Sequence, residues 1–146
     1  MTSWDAEFHF ELDTCATSEN AKCARFYTAR DDGLARPWDA NVCWCNPPYG
    51  RSVSAWVAKA AQSANEGRTV VMLLPARTDT KWFHEYIYGR KDVEIRFLKG
   101  RVKFGGVKYN APFPCMVVVF KGRARQRLIT NTANEGEKRE NRLDRC

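Results

Sequence analysis

Asn41-Val42-Cys43-Trp44-Cys45-Asn46-Pro47-Pro48-Tyr49-Gly50 is the stretch on which the fold turns. Its first half is an apolar run of strand length, and its second half stops that strand at once, because proline has no amide hydrogen to give a central ladder. Immediately downstream, Trp56, Val57, Ala60, Ala61 and Ala64 recur at helical spacing, which predicts a helix over residues 54–64 that Gly67 ends. Residues 69–74 form an unbroken β-branched and apolar run, the pattern of a strand covered on both faces. Strand, turn, helix and strand in that order make a βαβ unit, so the chain reads as an α/β domain around a largely parallel sheet.

Working outward, Phe8-His9-Phe10-Glu11-Leu12-Asp13 alternates apolar and polar residues and predicts a strand ending in a carboxylate. Thr17-Ser18-Glu19-Asn20 offers a hydroxyl cap for a short helix over residues 21–27, and Asp31-Asp32-Gly33-Leu34 is turn chemistry. Pro75 stops the strand before it, and a helix is expected over residues 80–88 with Trp82, Phe83, Tyr86 and Ile87 on one side. Strands are expected at 93–98, 101–104 and 115–120. After Lys121 the chain turns polar and charged, so residues 1–121 are expected to form one domain and 122–146 a solvated or disordered tail.

The tetrapeptide Asn46-Pro47-Pro48-Tyr49 has chemistry of its own. In an open α/β sheet ligands bind beyond the carboxyl ends of strands, where this segment falls. Two prolines leave a rigid wall whose carbonyls can only accept hydrogen bonds, and the Asn46 amide oxygen adds another acceptor. Together the Asn46 side chain and the Pro47 carbonyl suit the two hydrogens of an exocyclic amine. Held so, the amine turns its lone pair out of conjugation, while Tyr49 offers a flat face for a ring. The plainer alternative is a loop that only ends a strand, with Tyr49 lying on the surface.

Composition sets bounds on this. The 146 residues are 44% hydrophobic and 28% charged, enough for one core and too little for two. The longest apolar run, Met116 to Phe120, is far short of a membrane span. No secretory signal is visible at Met1-Thr2-Ser3-Trp4-Asp5, so a cytoplasmic location is expected. Of the formal charge of +7, +4 lies from Lys121 onward, so the excess says little about the domain itself. Cys43, Cys45 and Cys115 sit in or beside strand-like runs and read as buried thiols. With His9 and His84 standing alone, no metal site is expected, and His84 reads as a packing or surface residue.

The chain resembles the phage and prophage family of DNA N6-adenine methyltransferases. The resemblance runs through Phe10-Glu11-Leu12-Asp13, Asn20-Ala21-Lys22-Cys23, Asp32-Gly33-Leu34, Val42 to Gly50, Leu73 to Thr80 with Trp82-Phe83-His84, Gly100 to Gly106, and Ala111-Pro112-Phe113-Pro114. It implies a minimal Rossmann-like sheet with helices on both faces. It also implies S-adenosylmethionine as cofactor, and adenine N6 in double-stranded DNA, within a phage or prophage host cell, as acceptor. Asn46 and Pro47 would hold the amine, Pro48 would shape the turn and Tyr49 would stack on a flipped-out base. Relatives carry a Thr-Pro element upstream of the first strand, whereas only Met1 to Glu7 precede it here, so the resemblance implies a shortened N-terminus.

No Gly-x-Gly-x-x-Gly loop occurs, so Asp13, Cys15 and Asp32 are the expected cofactor contacts, Asp13 as a strand-end carboxylate. For both aspartates a cap or turn role is the alternative. Arg51, Arg77, Lys99, Arg101 and Lys103 are the expected DNA contacts, the last three alternating along a strand and so sharing a face. Low sequence specificity and no obligate protein partner are expected. Cytosine N4, a protein glutamine, or mere DNA binding by a decayed enzyme are the other functional readings.

Overall fold

A computed structural model describes residues 2–101 and 113–122. The elements run α1 (Thr2–Phe8), β1 (Leu12–Asp13), a 3-10 turn (Gly33–Ala35), β2 (Val42–Cys45), α2 (Val53–Asn65), β3 (Thr69–Pro75), α3 (Lys81–Tyr86), β4 (Val93–Phe97) and β5 (Cys115–Phe120). They build one sheet in the order β1-β2-β3-β5-β4.

The βαβ unit forms as its sequence dictates. β2 pairs parallel with β3, Val42 against Thr69 and Cys45 against Met72. Alternation along the strands divides the core in two. Leu12, Cys43, Cys45, Val70, Met72, Leu74, Met116, Val118 and Phe120 face α2 and α3, where Trp56, Val57, Trp82 and Phe83 cover them. Trp44, Val71, Leu73, Val117 and Val119 face the other way, where Trp4 and Phe8 of α1 lie against them. Helices therefore flank both faces. Arg96 of β4 fastens α1 to the second face: it meets both carboxylate oxygens of Glu7 at 2.8 Å and lies over the rings of Trp4 and Phe8.

The sheet is mixed, not largely parallel. β5 runs antiparallel to both β3 and β4. Helix α3 carries the chain across to β4, which is thus parallel to β3. β5 then returns between them, and neighbours so joined run antiparallel.

Two local expectations fail near the N-terminus. The strand foreseen at 8–13 is only Leu12–Asp13, since Phe8 ends α1 and His9 turns the chain at φ 57°. The helix foreseen at 21–27 does not form. Its backbone is engaged elsewhere: Asp13 donates to the Arg25 carbonyl, the Tyr27 amide donates to Asp13, and Phe26 bridges parallel to Asp13. The strand foreseen at 101–104 lies beyond Arg101 outside the described residues, and the domain boundary at 121 adjoins residues not described. No described helix is long and apolar enough to cross a membrane.

Candidate active site

After β1 the chain pairs Phe26 on one side of it and then crosses to lay β2 on the other. That divergence is a topological switch point, the place in an open α/β sheet where ligands bind, and here the carboxyl ends of β1 and β2 lie side by side. Asp13, Thr14 and Cys15 leave β1 there, and Asn46-Pro47-Pro48-Tyr49 leaves β2 beside them.

The tetrapeptide's shape follows from hydrogen-bond phase. The Thr69 amide donates to the Asn41 carbonyl at 2.9 Å, so alternate residues of β3 bond to β2 and the Leu73 carbonyl falls opposite residue 47. Pro47 has no hydrogen to give it. The Tyr49 hydroxyl donates to Leu73 instead, at 3.0 Å. Burial pushes the Tyr49 phenol above its usual range, so it stays a donor. Tyr49→Phe is expected to leave the Leu73 carbonyl short of a partner and to cost about 1–2 kcal/mol in urea unfolding; an unchanged midpoint would contradict this. The Tyr49 ring rests on Phe113 at 5.4 Å between centroids, and the Arg77 guanidinium lies over Phe113 at 5.2 Å. Tyr49, Phe113 and Arg77 thus form one layered group at this end of the sheet. Phe113 was readable only as part of Ala111-Pro112-Phe113-Pro114, with no sign of its partner. Asn46 is half-buried, and no described residue hydrogen-bonds its side-chain amide.

Asp13 is 1% exposed. Its carboxylate accepts from the Cys15 amide at 3.2 Å and the Lys22 amide at 2.9 Å, closing the loop between them. Burial, the largest influence, pushes this carboxyl up to about 6 against the opposing pull of the two amides. Between the ordinary carboxyl range and 6 the folded chain holds a proton that the unfolded chain has lost. This group therefore favours folding on the acid side, and that contribution disappears as pH rises through 6. Locally the effect reverses, since a neutral carboxyl accepts more weakly and slackens the 15–22 loop. Carbon-detected titration of Asp13 is expected to show a midpoint near 6, with the Cys15 and Lys22 amides shifting in step; a midpoint near 4 would overturn the assignment.

Cys15 is half-buried, and its thiol is pushed up by burial and by Asp13. Asp32 is exposed, held left-handed at φ 60° with no side-chain cap bond, and the following Gly33 presses on the Thr14 carbonyl. The three expected cofactor contacts thus meet at the end of β1. Asp13 is enclosed, so the acceptors that suit a nucleoside bearing an amine are the exposed Asp32 carboxylate on the β1 side and the Asn46 amide, with the Tyr49 ring, on the β2 side.

The basic residues fare unevenly. Arg51 lies exposed in the turn before α2, and Arg77 follows β3. Lys99 and Arg101 are exposed beyond β4, which is parallel to β3 and ends on the same side. They do not alternate along a strand, because β4 stops at Phe97 and Gly100 bends the chain at φ 78°. Lys103 lies outside the described residues. Among the described residues no cluster of three or more His, Cys, Asp or Glu is placed to hold a metal, and His84 bonds the Thr78 carbonyl at 2.8 Å.

Comparison with known proteins adds a separate line. The sequence model of the family described as DNA N-6-adenine-methyltransferase (Dam) matches residues 1–142. A DNA N-6-adenine-methyltransferase of Haemophilus phage HP1 is 35% identical over 95 residues, 65% of this chain and 54% of that one. Another, of Escherichia phage T1, is 39% identical over 77 residues, 52% of this chain and 32% of that one. The chain thus spans about half or less of the length of these curated relatives. No solved structure matches.

Proposed function

The chain belongs to the DNA N-6-adenine-methyltransferase family, and from that premise we propose that it transfers a methyl group from S-adenosylmethionine to N6 of adenine in double-stranded DNA. The observation that carries this reading is the position of Asn46 and Pro47. They stand at the end of β2 beside the end of β1 that carries Asp13, at the switch point of a sheet that we read as a Rossmann-like methyltransferase sheet.

The Asn46 amide oxygen and the Pro47 carbonyl accept the two N6 hydrogens. That grip rotates the nitrogen lone pair out of the ring system and toward the methyl donor. S-adenosylmethionine, when bound, supplies an electrophilic methyl on a sulfonium. As nitrogen becomes positively charged its hydrogens become better donors, so the same two acceptors hold the transition state more tightly than the ground state. Pro48 fixes the turn. Tyr49, backed by Phe113, gives the extruded base a face to stack on, offsetting part of the few kcal/mol that extrusion costs. Asp13 shapes the cofactor loop from within, and Cys15 and Asp32 contact the cofactor. Arg51, Arg77, Lys99, Arg101 and Lys103 grip phosphate, giving affinity that falls steeply with salt. In this reading residues 1–121 are the catalytic domain, and 122–146, with net charge +3, are an electrostatic tether.

The full chain, incubated with unmethylated duplex DNA and methyl-labelled S-adenosylmethionine, is expected to place label in N6-methyladenosine after nucleoside digestion. Label in N4-methylcytosine or in protein glutamine would replace the acceptor. Cofactor binding without transfer, or DNA binding alone, would reject the enzyme reading.

A further inference from the structure

The loop that carries Asp32 is seated beside the carboxyl end of β1, a relation the sequence did not disclose. The 3-10 turn after Asp32 packs its first residue, Gly33, against the Thr14 carbonyl, one residue beyond Asp13. Asp32 sits in the left-handed region, which residues with a Cβ adopt sparingly, its amide donating to the Thr28 and Ala29 carbonyls and its carbonyl accepting from the Ala35 amide. A further hold comes from α2. Lys59, half-buried, extends its ammonium to the Leu34 carbonyl at 2.9 Å and the Arg36 carbonyl at 2.6 Å, the free carbonyls at the end of the turn. The same ammonium lies 5.6 Å from the Trp38 ring. Trp38 in turn donates to the Gly33 carbonyl at 2.9 Å and stacks on Trp56, three residues before Lys59 on the same helix. The two carbonyls and the ring that the Lys59 ammonium meets thus all lie just after Asp32 in the chain, while α2 itself begins directly after Tyr49 and its turn.

We propose that Lys59 is a positioning residue for cofactor binding: by gripping the Leu34 and Arg36 carbonyls it fixes the Asp32–Gly33 loop against the end of β1. This rests on the reading of the β1–β2 switch point as the S-adenosylmethionine site. The ammonium is suited to the task because its three donors serve two carbonyls at once and it is partly shielded from water; that same shielding pulls its pKa below the ordinary lysine value. Lys59 acts through the loop, by its bonds to the Leu34 and Arg36 carbonyls.

Lys59→Met keeps the methylene stem over Trp38 and removes the ammonium. Calorimetry with S-adenosylhomocysteine is expected to show affinity about tenfold weaker than wild type, and Lys59→Arg to recover most of it. KM for S-adenosylmethionine should rise by a similar factor, with kcat at saturation within about twofold. Without any ligand, hydrogen exchange at the Ala35 and Arg36 amides should accelerate, while α2 and β3 stay protected. Unchanged affinity in Lys59→Met overturns the proposal. So does acceleration spread evenly over α2 and β3, which would mark a general stability role. A wild-type chain that binds no S-adenosylhomocysteine overturns the cofactor reading and this proposal with it. That result is recognisable before any variant is compared.

Discussion

Asn46→Ala is expected to lower the single-turnover rate of methyl transfer by about a thousandfold while leaving the fold and cofactor affinity nearly intact. β2 ends at Cys45, so Asn46 contributes nothing to the ladder, and its half-buried amide makes no hydrogen bond with a described residue. Removing it costs the native state little, within about 0.5 kcal/mol as for other side chains away from tight packing. It does remove one of two acceptors for the amine, and the amine's demand for acceptors peaks as nitrogen becomes cationic. The loss should therefore fall on kcat, not on KM. Asn46→Asp, which keeps an acceptor at the same place, should lose less. A rate for Asn46→Ala within tenfold of wild type would remove Asn46 from the mechanism. A comparable loss of melting temperature would mean the residue was structural all along.

What could be read from the sequence was what is written contiguously. β2, its proline stop, α2 and β3 formed where expected because each signal is local: an apolar run, missing amide hydrogens, helical spacing and a terminal glycine. The helix expected at 21–27 shows the opposite case. Its residues would permit a helix, yet the Asp13 carboxylate takes the Lys22 amide and the Asp13 backbone takes Arg25 and Tyr27, so tertiary pairing overrides propensity. Phe8 reads as strand because its alternation with Phe10 and Leu12 imitates one, whereas it ends α1 and the chain turns at His9. The site divides in the same way. Asn46 to Tyr49 was legible as four adjacent residues with one chemistry. The substitution of the Tyr49 hydroxyl for the missing Pro47 hydrogen depends on the register of another strand, and Lys59 reaches a loop 25 residues away. Neither relation leaves a pattern in the order of the residues.

Gly33→Ala is expected to damage both stability and cofactor binding, and more severely than loss of Lys59. A Cβ at position 33 would stand 2.2 Å from the Thr14 carbonyl oxygen and 3.0 Å from the Trp56 ring. Neither neighbour is free to retreat. The Thr14 amide and hydroxyl both bond the Trp44 carbonyl, at 2.9 and 3.2 Å, which ties that backbone to β2. Trp56 is buried and stacked on Trp38, whose indole nitrogen bonds Gly33 itself. Relief must come from the loop, which lifts away from β1 and takes Asp32 with it, breaking the Trp38 bond and drawing its carbonyls off Lys59. Overpacking against a fixed backbone should cost about 3 kcal/mol, lowering the melting temperature by about 10 °C for a domain of this size. Cofactor affinity should fall beyond the tenfold expected for Lys59→Met, because there the loop loses a hold but keeps its seat. Melting by circular dichroism and calorimetry with S-adenosylhomocysteine, run on both variants, give the comparison. If Gly33→Ala melts within about 2 °C of wild type, less than one kcal/mol by the same scaling, then the Gly33–Thr14 contact is not the seat of the loop.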